Sequence, residues 1–299
     1  MTDIQIGVIG GSGFYEMEGL TDVEQRRVET PYGEPADAFT VGTLEGRRVA
    51  FLPRHGAGHR FSPAELPVQA AIWAFKEIGV EYLISVSAVG SLRRKLAPLD
   101  LVIPDQVIDR THGRPNTFFE KGVVAHISMA DPFCPQLAKV LYRAAKGTDA
   151  TVHRGGTLVV IEGPAFSTRA ESKLYRSWGA DIIGMTTLPE AKLAREAEIC
   201  YATLACVTDY DVWHESEEDV TVELIVQNLL RNVGIAKQVI RTAVGRLPLA
   251  GGHAAADALR SAIITSPEAV SHERRQTLRP FLNRYMPAQQ ETKEGEYPA

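Results

Sequence analysis

A chain of 299 residues, 44% hydrophobic and 23% charged, has the makeup of a globular protein with a substantial core. Its formal net charge of -5 argues against nucleic acid as a partner, and no apolar run reaches the length of a membrane span. Without a basic stretch followed by an apolar one at the start, the expectation is a cytoplasmic protein with neither membrane nor nucleic-acid partners. Cys134, Cys200 and Cys206 lack metal-ligand spacing and read as buried free thiols of a reducing compartment.

In chain order, IQIGVIGG reads as a buried strand emptying into a glycine turn with Ser12, and VGTLEGRRVAFLP as a hairpin turning at Glu45-Gly46. AELPVQAAIWAFKEIG is a helix with Val68, Ala71, Ile72, Phe75 and Ile78 on one face, closed by Gly79. EYLISVSAVG is the next strand, followed by LDLVIPDQVI, a long polar loop and a helix from about Pro135 to Lys146. Three more strands, GTLVVIEG, ADIIGM and CYATLACVTDYDVW, come next, with helices beginning near Thr168 and Thr187 after the first two. From Thr221 to Gly245 a long amphipathic helix carries Val222, Ile225, Leu229, Val233, Ala236 and Ile240 along one stripe. Beyond it, RLPLAGGHAAA reads as a linker to two short helices, and AQQETKEGEYPA as a disordered tail. This alternation predicts an α/β fold, a single domain over residues 1–246 with a central twisted mixed sheet flanked by helices, and a C-terminal appendage over 247–299.

The glycine turn is not a dinucleotide fingerprint, because Glu16 stands where the third glycine belongs and no apolar helical stripe comes after it. A serine hydroxyl and exposed amides still suit a compact oxyanion. The residues at the strand carboxyl ends make a coherent set, since ligands of open α/β sheets collect there. After VAFLP come Arg54 and His55, a charged fork and a second donor for phosphate oxygens. LISVSAVGS ends in Ser87, Ala88, Val89, Gly90 and Ser91, small enough to let a ligand reach the backbone. Thr187 and Glu190 have the spacing of a capping box, which places Thr186 at a helix's positive end and Met185 beside the same cavity. Thr168 and Glu171 form a second such box behind Phe166 and Ser167. Strand alternation sets Asp209 and Asp211 on one face, where mutual repulsion holds a proton on at least one and lets it donate to a ring nitrogen. A metal site is the competing reading, weakened because no histidine or third carboxylate recurs at ligand spacing nearby.

Taken together, GVIGGSGFY, TPYGEPAD, RHGAGHRFSP, SAVGSLR, DQVIDRT, AHISMADPFC, IEGPAFSTRAES, GMTTLPEAKLAREAEICYA and TDYDVW resemble the nucleoside phosphorylase family, in family order over residues 4 to 245, and its 5′-methylthioadenosine phosphorylase branch most closely. The resemblance implies phosphate held by Ser12, Arg54, His55, Ser87, Ala88 and Thr186, with Met185 against the ribose. It implies Phe166 and Ser167 along the purine, Asp209 and Asp211 reading the base, and Val222, Ile225 and Val226 as an apolar wall for the 5′ substituent. It also implies a homotrimer or a dimer of trimers, with His126 reaching the neighbouring subunit's site, and no cofactor or metal, inorganic phosphate being the co-substrate. The expected reaction is phosphorolysis of 5′-methylthioadenosine to adenine and 5-methylthioribose 1-phosphate. A 6-oxopurine phosphorylase on the same scaffold is the alternative, kept open by Gly184, where the vertebrate type has asparagine. A nucleoside hydrolase and a non-enzymatic nucleotide binder are the remaining rivals.

Overall fold

Ile6–Gly10 (β1) is buried along its whole length because it is flanked on both edges by parallel strands, Arg47–Pro53 (β4) and Tyr82–Ser91 (β5). The structure, a computed structural model, describes residues 4–11, 17–214, 222–249 and 252–287, with the side chains of Val222, Leu224 and Ile225 outside that description. Ser12 and the expected tail at 288–299 also lie outside it. The remaining strands are Thr21–Arg26 (β2), Phe39–Leu44 (β3), Leu101–Ile103 (β6), Gln106–Arg110 (β7), Val152–Arg154 (β8), Thr157–Ile161 (β9), Ile182–Gly184 (β10) and Cys200–Asp209 (β11). The helices are Val68–Glu77 (α1), Pro135–Ala145 (α2), Arg169–Ser177 (α3), Thr187–Glu196 (α4), Val222–Arg246 (α5), His272–Thr277 (α6) and Arg279–Leu282 (α7).

Among the described residues the strands form one mixed sheet in the order β2-β3-β4-β1-β5-β10-β9-β7, while β11 joins β5 to β6 and β6 carries β8. The period of two sorts the core into two layers. Ile6 and Val8 of β1, Tyr82, Ile84 and Val86 of β5, and Ala202 and Leu204 of β11 face α2 and α5, meeting Leu137, Leu141, Val233, Ala236 and Ile240. Ile9, Leu83, Val89, Tyr201, Ala205 and Val207 face the other way, onto Ala71 and Phe75 of α1 and Leu188 and Ala191 of α4. The stripe expected of α1 is therefore the buried one, and that of α5 is buried at Val233, Ala236 and Ile240, with Leu229 packed against them.

The hairpin turns where expected, with Glu45 and Gly46 both at positive φ, the conformation that matches strand twist. LDLVIPDQVI divides: β6 pairs β11 and β8, whereas β7 pairs β9, and Pro104, which has no N–H, stands between them. After residue 246, Leu259, Ala262, Val270, Leu278, Phe281, Leu282 and Met286 pack into the same apolar cluster as Trp73, Phe118 and Phe119. The Trp73 indole N–H donates to Thr277 O at 2.9 Å, tying that segment to α1. No helix among the described residues is long and apolar enough to cross a membrane.

The cysteines correct the free-thiol expectation. Cys134 and Cys200 form a disulfide with their Cα atoms 5.2 Å apart. They are 66 residues apart in the chain and meet because the start of α2 lies on the start of β11, where the Cys134 N–H donates to Tyr201 O. Cys206 is free and buried, and burial pushes its thiol up to about 12.

Candidate active site

The site arises where β5 changes neighbours. One edge of β5 pairs with β1 as far as Val86 and with β10 from Gly90, while β11 runs along the other edge throughout. Ser87, Ala88 and Val89 are left between the two, at the carboxyl end of β1, where an open α/β sheet places its crevice. A cavity of about 530 Å³ opens there, within the range of small-molecule sites. Its lining includes Arg54, His55, Ser87, Ala88, Thr186, Met185, Phe166, Ser167, Val226, Asp209 and Asp211. Sequence reasoning thus assembled residues from six separate segments into one wall. Ser12, and the side chains of Val222 and Ile225, lie outside the described residues. His126 does not line this cavity; its backbone N–H donates to Ala262 O at 2.8 Å.

At one end, the Ser87 and Thr186 hydroxyls are 3.2 Å apart. Arg54 is buried beside them, with most of its fork already committed within the protein. Nε and Nη2 donate to the two oxygens of Glu190, Nη2 also to Ser85 Oγ at 2.7 Å, and Nη1 to Val86 O at 2.9 Å. Burial works against its charge, and the Glu190 carboxylate outweighs that, so the guanidinium is held above its ordinary range. Nη1 is the nitrogen beside Gly11, on the cavity side. His55 also differs from the donor expected of it. Its Nδ1 lies 2.8 Å from Phe61 O, and its ring stacks on His59 with centroids 4.0 Å apart. Burial, with Arg54 nearby, pushes His55 down to about 4, so the ring is neutral near pH 7.

Glu190 is the functional residue that sequence reasoning misplaced. The capping box with Thr187 does not form: Leu188 is non-helical at φ -111° and ψ 136°, Leu188–Pro189 is cis, and Thr186 occupies the N-cap without a side-chain capping bond. Glu190 instead sits fully buried, accepting from Arg54, from Ser85 Oγ at 3.1 Å and from the Tyr201 hydroxyl at 2.9 Å. Its spacing from Ala194 and Ala197, i+4 and i+7 on the inward face, was the readable signal. The turn ahead of α4 is braced by Arg114, whose Nη1 donates to Met185 O at 2.7 Å and Leu188 O at 2.9 Å. Nothing in the polar loop carrying Arg114 marks it in the sequence. The second capping box, Thr168 with Glu171, is present, with Glu171 Oε2 accepting from the Thr168 N–H at 2.8 Å.

At the other end Asp209 and Asp211 converge, but through a bulge and a turn rather than strand alternation. The β11–β5 register shifts between Val207 and Asp209, and β11 ends there. Asp211, at φ 50°, opens a short 3₁₀ turn and donates its N–H to Asp209 Oδ1 at 2.8 Å. Thr208 Oγ1 meets Asp209 Oδ2 at 2.7 Å. Two asparagines one turn apart on α5 hold the bulge, Asn228 Nδ2 donating to Thr208 O at 2.7 Å and Asn232 Nδ2 to Val207 O at 3.0 Å. Burial pushes both aspartates above the usual carboxylate range. Ser167 Oγ is buried here with no hydrogen-bond partner among the described residues, which suits a ligand with a polar edge of its own, while Ser172 lies against the Asp211 carboxyl group.

A family model described as "Phosphorylase superfamily" matches residues 5–245. The chain is 56% identical over 286 residues to the S-methyl-5'-thioadenosine phosphorylase of Chloroflexus aurantiacus, covering 95% of this chain and 99% of that one. To the protein of the same name from Geobacter sulfurreducens it is 56% identical over 282 residues, covering 94% and 99%. Among solved structures, the crystal structure of a methylthioadenosine phosphorylase from an antarctic soil metagenomic library superposes with a TM-score of 0.90 at 52% identity, covering 94% of this chain and all of that one.

Proposed function

The chain belongs to the phosphorylase superfamily, and on that premise we propose that it is a pentosyltransferase that cleaves S-methyl-5'-thioadenosine with inorganic phosphate, yielding adenine and 5-methylthioribose 1-phosphate. The observation that carries the site assignment is the division of one cavity into a hydroxyl- and arginine-lined end and an end with two buried carboxyl groups.

Phosphate occupies the end formed by Arg54, His55, Ser87, Ala88 and Thr186, to which the family resemblance adds Ser12. The Arg54–Glu190 pair is neutral as a unit, so the anion's charge is not cancelled and lies available to C1′ as that carbon turns oxocarbenium-like. Holding nucleophile and nucleoside in line supplies roughly 7–11 kcal/mol of the barrier reduction. The ribose lies on Met185. The base packs against Phe166, with Asp209 donating its retained proton to N7, a general-acid step worth about 10²–10⁴-fold, while Asp211 and Ser167 take the remaining polar edge. Val226 belongs to the apolar wall around the 5′ methylthio group, to which the family resemblance adds Val222 and Ile225. No metal or organic cofactor enters this reaction.

The same reading makes the enzyme a cytoplasmic homotrimer in which His126 reaches the adjoining subunit's cavity. Supporting it, Val124 and Ile264 lie exposed side by side near His126, joined by the Ile264 N–H to Val124 O bond of 2.9 Å. The test is adenine release from methylthioadenosine with and without phosphate, run beside adenosine, inosine and methylthioinosine. Release that proceeds without phosphate, or faster from the 6-oxopurine nucleosides, overturns the assignment. A monomer in light scattering overturns the trimer alone.

A further inference from the structure

Arg114 does not line the cavity, but it joins two strand ends that do. β9 and β10 pair in parallel as far as Val160 and Gly184, and there the ladder stops. One chain runs on to Phe166 and Ser167, the other to Met185 and Thr186, and all four residues line the cavity. Carbonyl groups that pass beyond a ladder into a buried place need donors from elsewhere. Arg114, in the loop after β7, supplies them. Its Nη1 donates to Met185 O at 2.7 Å and Leu188 O at 2.9 Å, its Nη2 to Ile161 O at 3.4 Å and to Glu162 O, and its Nε to Glu162 Oε2 at 3.1 Å. Every N–H of the guanidinium is used, and all but Nε–H reach main-chain oxygens. The group is buried and planar, so Nη1 on the Met185 side and Nη2 on the Phe166 side keep a fixed spacing. The two chains also touch directly: at Gly163, with φ 67°, a Cβ would lie 2.6 Å from Met185 Sδ.

We propose that Arg114 is a positioning residue for the glycosidic bond, fixing the wall at Met185 relative to the wall at Phe166 and Ser167. This inference rests on the phosphorylase reading above and adds to it a residue that touches no substrate. With the ribose on one wall and the base on the other, the placement of the two walls sets the geometry at C1′. Each wall keeps its own contacts when the fork is lost, so ground-state binding of the nucleoside survives. What goes is the alignment realised as the bond breaks. A displacement of about 1 Å at that point costs about 10²-fold in rate.

Arg114→Lys keeps the charge but offers an ammonium, which cannot span the carbonyl oxygens of both chains in one plane. With methylthioadenosine and saturating phosphate, its kcat and kcat/KM are expected to fall together by about 10²-fold while KM changes little. Arg114→Ala leaves a space shaped to a guanidinium ion. Free guanidinium, added well below the concentrations that unfold the protein, is expected to restore part of its kcat, and sodium at equal ionic strength none. Thermal melting of both variants accompanies the kinetics. A folded Arg114→Lys with the wild-type kcat, or one in which only KM rises, overturns the positioning role and leaves the phosphorylase reading intact. Activity that follows the folded fraction alone, with no response to guanidinium, does the same, since an arginine serving only stability gives that result. A wild-type enzyme that releases no adenine with phosphate overturns both.

Discussion

Gly90 and Asp209 face one another across the β5–β11 pair: a Cβ on Gly90 would lie 2.9 Å from Asp209 Oδ1 and 3.0 Å from Ile183 Cγ2. The bulge that ends β11 needs that space, since it brings the carboxyl group over the neighbouring strand. Gly90→Ala therefore pushes the proposed general acid out of position. The expected result is a fall in kcat/KM for methylthioadenosine towards the 10²–10⁴-fold worth of a general acid. The stability loss should be only the roughly 1–3 kcal/mol of local overpacking. Steady-state kinetics and thermal melting of the same preparation separate the two.

Asp209→Asn keeps the shape of the side chain and removes its titrating proton. An amide presents both a donor and an acceptor to a 6-oxopurine, whereas the aspartate pair suits a 6-amino group. Cleavage of methylthioadenosine and adenosine is expected to fall, and that of inosine and methylthioinosine to hold or improve. Equal losses on both classes, measured by base release, contradict a base-reading role for Asp209.

Arg54 and Glu190 form a buried pair, so removing one partner leaves the other charge desolvated and uncompensated. Glu190→Ala leaves a guanidinium buried with Ser85 and two carbonyl oxygens alone, and the expected cost is about 3–5 kcal/mol. Tyr201→Phe removes one hydroxyl from Glu190 and is expected to cost only about 1 kcal/mol. Urea unfolding midpoints check both, and near-equal losses would mean that the pair is not the centre of this network.

What was legible in the sequence was periodic or adjacent. The buried strands β1, β5 and β11 and the stripes of α1 and α5 declare themselves by period, and Thr168 with Glu171 by a spacing of three. The strand β2, TDVEQR, was missed because it is an exposed edge with no buried face to impose alternation. That these segments meet in one cavity was legible because strand ends converge on a crevice, but the pairings of their side chains were not. Arg54 and Glu190 are 136 residues apart, and a local box with Thr187 was the simpler reading of the same glutamate. Asp209 and Asp211 converge through a bulge held by Asn228 and Asn232, two residues whose meaning depends on α5 lying against β11. The Cys134–Cys200 bond depends on a similar long-range contact.

Glu196, at the end of α4, supplies a pH dependence whose sign is set by burial. Its carboxyl group accepts from Thr117 Oγ1 and from the Phe118 N–H, both at 2.6 Å, and burial pushes it up to about 7 from an ordinary 4.5. Between those values the folded protein holds a proton that the unfolded chain has released, so stability falls as pH rises from about 4.5 through 7 and the loss is complete above. Glu196→Gln reproduces the protonated form: its oxygen accepts from Phe118 and its amide donates to Thr117. The variant is expected to match the wild type below pH 5 and to exceed it at pH 8 by up to ~3 kcal/mol, since each pKa unit is worth about 1.4 kcal/mol. Chemical unfolding at the two pH values checks this. A variant less stable than the wild type at pH 8 would mean that Glu196 is ionised in the folded protein and that its two hydrogen bonds outweigh its burial.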